Sequence, residues 1–374
     1  MAVSPAEPPA DARDLSEALN DEIRSRYIKT DRLGEGTYAV VFKATVAGRP
    51  GESVAIKKIK VNAEYRDGIA MDAIREIKHL QELAHPNIIK LHAVFSSKAQ
   101  NLNLVLELLP LGDLEDLMKA ADSVHYGAAD IKAWMGMACR GMWWCHANFV
   151  LHRDIKLNNL LIAADGEVKL ADFGLARSFA DPYTHMTANV ITRWYRPPEL
   201  LYQARHYGGA VDIWSLGIVF GELTQRRFWL PGETDLAQID LIAQTFGSPT
   251  DDVWPGVSKL DGYVAPARVL PPQPQAYWEQ FFGLIGPDGI ALLRGMLRLD
   301  PRRRLNARQV LENPWWTAYP RPTPKEDLPN PKKTRAEQER KMAEDLKKRG
   351  GELPGQDTNM GLNRGDKVAR RLFA

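Results

Sequence analysis

The sequence predicts an α+β protein of two lobes, the first rich in β-strand with one helix, the second mostly helical. Three observations carry that reading. The 374 residues exceed what one hydrophobic core usually serves, and 44% of them are apolar, enough for a large interior. Alternating β-branched runs fill the first third, the period at which side chains line a sheet. From Asp113 onward the apolar spacing lengthens to that of helices, and strand-like pieces become short. Strands first and helices second is the pattern of two subdomains meeting across a cleft.

Residues 1–26 are rich in Ala, Pro and acids, so a loose arm with a short helical piece at most is expected, with order from Tyr27. YIKTDRLGEGTYAVVFKATV and ESVAIKKIKV read as consecutive antiparallel strands, the first holding a glycine-bearing turn. IAMDAIREIKHLQEL has apolar residues at helical spacing. AHPNIIKLHAVF and NLNLVLELLP give two more short strands, the second closed by Pro110, which has no N–H for a ladder. Beyond it, IKAWMGMACRGMWWCHANF and DIWSLGIVFGELTQ are the clearest helices, with NNLLI and EVKLAD as short strands between them. After Trp316, TAYPRPTPKEDLPNPKK has prolines too frequent for a packed element, and KKTRAEQERKMAEDLKKRG is charged and helix-capable. The expected organisation is an arm at 1–26, a first lobe at 27–109, a second at 110–318 and a Pro-rich, then basic tail at 319–374. No internal repeat is visible.

Composition narrows the function classes. No run of eighteen apolar residues occurs, and MAVSPAEPPADARDL lacks the charged and then apolar blocks of a signal peptide, so an intracellular chain without a membrane segment is expected. Cys139 and Cys145 lie in an apolar run without metal-type spacing and read as core residues. The net charge of +2 is too near zero to imply direct nucleic-acid binding. It is also uneven: from Lys332 to the end, twelve Lys or Arg face seven Asp or Glu.

Five segments carry chemistry. LGEGTYAVVF, 33–42, sets Gly34 and Gly36 between two strands, where main-chain N–H groups can approach an anion closely. Alone it is weak, because Ala39 occupies the usual third glycine position and any Gly-x-Gly hairpin is also a tight turn. In VAIKKIK, Lys57 points inward from an apolar strand and needs an anion. Glu76, flanked by Ile74 and Ile77 on the predicted helix, is its candidate partner, and a plain structural salt bridge explains the pair equally well. LHRDIKLNNLL sets Asp154, Lys156 and Asn159 in an apolar frame, as either a buried-edge turn or a catalytic loop. KLADFGLAR then adds Asp172 between an apolar strand and a glycine. Asn159 and Asp172 would give two oxygen ligands on adjacent loops, a set suited to Mg²⁺, which otherwise keeps waters and phosphates. Asp154 is then free to accept a hydroxyl proton, with Lys156 balancing charge near a transferred phosphoryl group.

Taken in this order and spacing, the segments resemble eukaryotic protein kinases over residues 34–199, with the likeness extending to about residue 316. The resemblance implies that family's two-lobed fold and the cofactors ATP and Mg²⁺. It implies ATP binding by Leu33, Gly34, Glu35, Gly36, Thr37, Tyr38, Ala39, Val40, Val41, Lys57, Glu76, Glu107 and Leu109. Asp154, Lys156 and Asn159 would be the catalytic group, and Asn159 and Asp172 the metal ligands. Pro197 to Glu199 stand for the family's Ala-Pro-Glu segment, Arg304 looks like its usual buried partner, and Asp212 looks like the residue that braces the catalytic loop through main-chain N–H groups. MDAIRE, TRWYRPPELL, LPGETD and TFGSPTDDVWPG are similar to the cyclin-dependent branch. DGIAMDAIREIKHLQELAHPNII, NLNLVLELLP, DIKAWM and MTANVITRWYR most resemble the cyclin-dependent kinases of general transcription factor IIH in their fungal form. That likeness implies a nuclear serine/threonine kinase acting on Ser/Thr-Pro sites of the RNA polymerase II C-terminal repeats. Its partners would be a cyclin H-like subunit, a third assembly subunit and the transcription factor core. In some lineages the same family also activates other cyclin-dependent kinases.

Regulation is implied by the same resemblance. Thr187 stands at the activation-loop phosphosite, and Arg75, Arg153 and Arg177 match the phosphate-binding arginines, although such arginines also pair with ordinary acids. Ala188 and Asn189 after it exclude the Thr-x-Tyr pair of mitogen-activated kinases. Thr37 and Tyr38 resemble the inhibitory pair of cell-cycle kinases, and Trp194 with Arg196 resembles the part that selects proline after the phosphoacceptor. Two positions depart from the pattern: Leu157, where the branch has proline, and Pro197, where the family has alanine. The rival readings are a cell-cycle cyclin-dependent kinase and, in another class, an inactive kinase-fold scaffold. Arg370 to Phe373 formally match a cyclin-docking motif, but a solvated basic end explains them as well.

Overall fold

The computed structural model describes residues 10–36, 39–60, 71–97, 101–120, 123–179 and 185–333, with side chains from residue 15 onward. The chain divides into a compact unit through Lys332 and a second unit from Lys333, of which only Lys333 is described. Thr37, Tyr38, the charged segment after Lys333 and the Arg370–Phe373 motif lie outside the described residues.

Of the arm expected at 1–26, the part from Ala10 is a longer helix than its composition suggests. Residues Ala10–Ser25 form α1, a 16-residue helix. Asn20 replaces a strand partner at the sheet edge: its Nδ2 donates to the Ser96 carbonyl at 3.0 Å, and its Oδ1 accepts from the Ser96 N–H at 2.7 Å. Ile23 packs with Tyr27 against Ala44, Val54, Ile56, Phe95 and Val105. Good helix formers, anchored at two points one turn apart, outweigh the loose composition around them.

The first lobe then follows the period-two pattern. β1 (Tyr27–Glu35), β2 (Ala39–Val46) and β3 (Ser53–Ile59) are joined by α2 (Met71–Glu82) to β4 (Leu91–Ser97) and β5 (Asn101–Glu107). The sheet is antiparallel in the order β1-β2-β3-β5-β4, and its register places Lys57 opposite Val41 on one side and Leu104 on the other. α2 turns Ala73, Glu76, His79 and Leu80 inward, positions i, i+3, i+6 and i+7 on one face of an amphipathic helix.

The second lobe is built on helices. α3 (Leu114–Lys119) is capped by Asp113, whose carboxylate accepts from the Asp116 N–H at 2.8 Å. α4 (Ala128–Ala147) leads through the pair residue strand β6 (Val150–Leu151) into the hairpin β7 (Leu160–Ile162) and β8 (Val168–Leu170). β9 (Arg177–Ser178) pairs back with β6. The short α5 (Pro198–Leu201) precedes α6 (Ala210–Gln225), followed by α7 (Asp235–Phe246), α8 (Gln275–Phe282), α9 (Gly286–Met296) and α10 (Ala307–Leu311). α6 is buried on every side from Val211 to Thr224, so it is the axis around which the lobe packs. Trp214, Phe246, Trp229, Trp278 and Phe282 form a continuous aromatic cluster against it. Cys139 and Cys145 are buried, as expected, and burial pushes the Cys139 thiol up to about 12. Among the described residues no helix is long and apolar enough to cross a membrane.

The Pro-rich stretch after Trp316, expected to be unpacked, is instead a strap on the second lobe. The ammonium of Lys132, on α4, donates to the carbonyls of Ala318 and Pro320, both at 2.9 Å, and sits 4.9 Å from the Trp315 ring centre. Thr323 donates through its hydroxyl to Asp130 at 2.7 Å, and Lys325 bridges Asp165 and Glu167 at the β7–β8 turn, at 2.6 and 2.8 Å. Asn330 donates to the Leu111 carbonyl at 3.1 Å, and Leu328 is buried. Proline-rich chain packs here because its fixed φ lowers the ordering cost and its carbonyls remain acceptors for buried donors. Leu328→Ala is therefore expected to cost about 2–5 kcal/mol, as a buried leucine truncation does. Thermal unfolding checks this, and an unchanged melting temperature would mark the strap as an adhering tail.

Candidate active site

The glycine loop is shaped by β1 and β2. Gly34 faces Val41 and Glu35 faces Val40 across the ladder, and the Gly36 N–H donates to the Ala39 carbonyl at 2.9 Å. A Cβ added at Gly34 would meet nothing within 4 Å, and one at Gly36 only the Ala39 oxygen at 4.0 Å. The protein's own packing therefore does not demand glycine at either position. Lys60, just past β3, steadies the loop by donating to the Gly36 carbonyl at 2.9 Å and pairing with Glu35 at 2.5 Å. Leu33 and Glu35 sit on β1, and Ala39, Val40 and Val41 on β2.

Lys57 leaves β3 toward two carboxylates. Its Nζ lies 2.8 Å from both oxygens of Glu76 and 3.0 Å from Asp172 Oδ1. Burial disfavours the ammonium, but Glu76 and Asp172 together outweigh it and raise its pKa well above the ordinary lysine value. Burial raises Glu76, with Lys57 opposing, whereas at the half-exposed Asp172 Lys57 outweighs the burial contribution and holds the carboxyl below its usual range. A merely structural salt bridge would stop at Glu76. The reach to Asp172 ties the helix of the first lobe to a loop of the second.

The loop after β6 carries the other group. The Asp154 carboxylate accepts from Lys156 Nζ and Asn159 Nδ2 at 3.0 Å on one oxygen, and from the Thr192 hydroxyl at 3.0 Å on the other. Lys156 also donates to Thr192 Oγ1 at 3.3 Å. Asn159 donates a second time, to the Asp154 main-chain carbonyl at 2.8 Å, so both hydrogens of its side-chain amide are committed. The Ala171 N–H donates to the main-chain carbonyl of Asn159 at 2.9 Å, which sets the Asp172 loop beside the Asn159 loop. Asp172 adopts a left-handed backbone, φ 60°, a conformation Asp tolerates better than most residues.

Asp212, fully buried at the start of α6, holds this loop from below. Its carboxylate accepts from the main-chain N–H groups of His152 at 3.0 Å and Arg153 at 2.8 Å, and from His146 Nε2 at 2.9 Å. Burial alone would raise its carboxyl; the His146 bond leads the donors that bring it below the usual range. His152, buried against Phe173, has Nδ1 facing the Asp154 N–H and Nε2 facing the Ala171 carbonyl, a network that fixes the neutral Nε2–H tautomer, and burial lowers its pKa accordingly. Glu199 and Arg304 form the expected pair, buried, with two bonds of 2.7 and 3.0 Å. Leu157, at the departure from proline, is buried in the main core, and Pro197 caps α5 with its carbonyl accepting from Leu200 and Leu201.

Other expected residues sit at the margins. Glu107, ending β5, has its carboxylate on Lys169 at 3.0 Å and the Lys90 N–H at 2.7 Å, and its own N–H donates to the Lys90 carbonyl at 3.0 Å. Leu109 packs against the core just beyond it. Thr187 is exposed; Arg75 pairs with Asp72 at 3.0 Å, and Arg177 donates to the His185 carbonyl at 3.3 Å. Thr192, Lys60 and His146 escaped the sequence reading, because nothing local marks them: each acts by meeting a distant segment.

Glu222, on α6, accepts from the Trp229 N–H at 3.3 Å, while among the described residues its Oε2 has no hydrogen-bond partner. Burial pushes its carboxyl up to about 8, with the Tyr195 hydroxyl offsetting part of the effect. Because the folded value lies above the unfolded one, its contribution is whole below pH 4.5 and is lost as pH rises toward 8. Glu222→Gln is expected to raise Tm by about 2 °C or more at pH 8 and by little at pH 5; a shift equal at both would contradict this.

Together, the two lobes, the lysine–glutamate pair and the two acidic loops define a protein kinase domain, and the protein kinase domain family model matches residues 27–316. Serine/threonine-protein kinase KIN28 of Saccharomyces cerevisiae is 45% identical over 302 residues, covering 81% of this chain and 97% of that protein. Serine/threonine-protein kinase crk1 of Schizosaccharomyces pombe is 48% identical, over 81% of this chain and 88% of its own length. A chain in the CAK complex from Chaetomium thermophilum bound to ATP-gamma-S superposes with a TM-score of 0.82 at 60% identity, covering 84% of this chain and 98% of that one. The chain belongs to the protein kinase family, as a serine/threonine kinase of the cyclin-dependent branch. The expected two-lobed fold and the kinase activity stand.

Proposed function

We propose that this chain is the catalytic subunit of a transcription-associated cyclin-dependent kinase, which transfers the γ-phosphoryl group of ATP to serine or threonine followed by proline. One observation carries the proline preference. Ile191 adopts φ 67°, and its carbonyl is turned onto the guanidinium of Arg196, accepting from Nε at 3.2 Å and Nη2 at 3.1 Å. Asn189 and Asp235 hold the same guanidinium at 3.2 and 3.3 Å. The next residue, Thr192, bonds the Asp154 carboxylate, so Ile191 flanks the place of the reacting hydroxyl. A substrate residue there would find its N–H without an acceptor; proline has none to satisfy.

In this reading Asp154 accepts the hydroxyl proton and Lys156 balances phosphoryl charge. Gly34, Gly36 and Lys57 would hold the triphosphate, and the main chain at Glu107 and Leu109 the base. The residues also fit Mg²⁺. Among the described residues no three His, Cys, Asp or Glu side chains gather as a metal site, and Asn159 with Asp172 offers the two hard oxygens that this ion accepts alongside phosphates. When bound, the ion would neutralise phosphate charge. Thr187 would receive an activating phosphate read by Arg75, Arg153 and Arg177.

The partners follow from the family likeness: a cyclin H-like subunit bound beside the MDAIRE helix, a third assembly subunit, and the core of transcription factor IIH, with the polymerase C-terminal repeats as substrate in the nucleus. The CAK complex of the Chaetomium relative supports a multi-subunit assembly. Peptides of the repeat with each Pro changed to Ala are expected to lose at least about tenfold in kcat/KM with the purified complex, the cost of one unpaired buried N–H. Equal turnover of both peptides would remove the proline reading. Co-purification of a B-type cyclin in place of a cyclin H-like one would favour a cell-cycle kinase.

A further inference from the structure

The segment from His185 to Thr187 is fastened to the turn that precedes α6 by contacts that involve no phosphate. The Tyr207 hydroxyl accepts from Arg153 Nη1 at 3.0 Å and donates to the Thr187 carbonyl at 2.7 Å. Beside it, the Met186 N–H donates to the Arg205 carbonyl at 2.9 Å, and the His185 and His206 rings lie 4.8 Å apart. Met186 is buried, and the Tyr207 ring packs on the second-lobe core. Arg153 is itself rigid. It is buried with φ 64°, its N–H is on Asp212, and its Nε is on the Leu175 carbonyl at 2.7 Å. A non-glycine residue keeps that backbone only where its surroundings determine it.

We propose that Tyr207 is a positioning residue of the activation loop, whose hydroxyl couples Arg153 to the main chain of Thr187 and holds the loop in place before any phosphate is added. The regulatory half of this idea rests on the Thr187 reading above. A phosphate on Thr187 would engage Arg153 through the side chain, while Tyr207 engages the same arginine through the backbone carbonyl. The two ties act in parallel, so each makes the other partly redundant. The bond from Arg153 has a charged donor and is of the stronger kind. Its loss should matter most where no phosphate also joins Arg153 to Thr187.

The test uses the full-length kinase with its cyclin, as Tyr207→Phe, Thr187→Ala and the double variant. Phenylalanine keeps the ring and removes the bridge. In the Thr187→Ala background, Tyr207→Phe is expected to lower peptide kcat/KM about tenfold, with KM for ATP and the melting temperature unchanged and faster hydrogen exchange at residues 185–192. In enzyme fully phosphorylated at Thr187, the loss is expected to stay below about twofold. Unchanged turnover and exchange in the unphosphorylated enzyme would overturn the proposal, as would a loss that follows a fall in melting temperature. If mass spectrometry finds no phosphate on Thr187 and Thr187→Ala behaves as wild type, the phosphosite reading fails alone. The effect of Tyr207→Phe on the unmodified enzyme then still decides the positioning role.

Discussion

Asp154→Asn is expected to lower kcat by about 10²–10⁴-fold, the usual contribution of a positioned general base. KM for ATP and the melting temperature are expected to remain near their starting values. The substitution keeps the shape of the side chain and removes its charge and proton affinity. The carboxylate is aimed by three donors, from Lys156, Asn159 and Thr192, and the loop beneath it is pinned by Asp212 through two main-chain N–H groups. None of these supports depends on the Asp154 charge for the fold. Steady-state kinetics of the purified complex checks the outcome, and a variant retaining more than about a tenth of wild-type kcat would deny Asp154 the role.

Lys57→Met is expected to abolish turnover and also to destabilise the protein by about 3–5 kcal/mol, because it strands the buried carboxylate of Glu76 without its counter-charge. The double variant Lys57→Met, Glu76→Leu is expected to recover most of that stability and none of the activity. Packed apolar residues can replace a buried pair structurally but cannot hold phosphate. The pH dependence separates the terms. The folded pKa of Lys57 is raised, so its contribution is fully present below the unfolded lysine value and is constant from pH 6 to 9. In the single variant the cost should shrink as pH falls toward the carboxylate range, where Glu76 takes up a proton. Chemical denaturation at two pH values, with a kinase assay on both variants, measures all of this. Recovery of activity in the double variant would reduce Lys57 to a structural residue.

The strands from Tyr27 to Glu107 and the helix at Met71–Glu82 were legible because their periodicity is local and strong. The two ends were not. α1 hides behind a composition that reads as loose, and its anchorage depends on Asn20 finding the open edge of β4, seventy-six residues away. The strap after Trp316 is not legible because prolines at that frequency argue against a packed element. It packs because Lys132, buried on α4, needs acceptors and those carbonyls supply them.

The motifs themselves determined the chemistry, since the glycine turn, HRDIKLNN and DFG each place their groups within a few consecutive residues. From them the kinase family followed without coordinates, and with it the side chains proposed to react. Only the tertiary structure decided that Lys57 reaches Asp172 as well as Glu76, that Thr192 completes the setting of Asp154, and that Tyr207 joins Arg153 to Thr187. Those pairs are separated by tens of residues in sequence. Their distances are set by how the two lobes and α6 pack, an interaction of whole surfaces that no short stretch of sequence encodes.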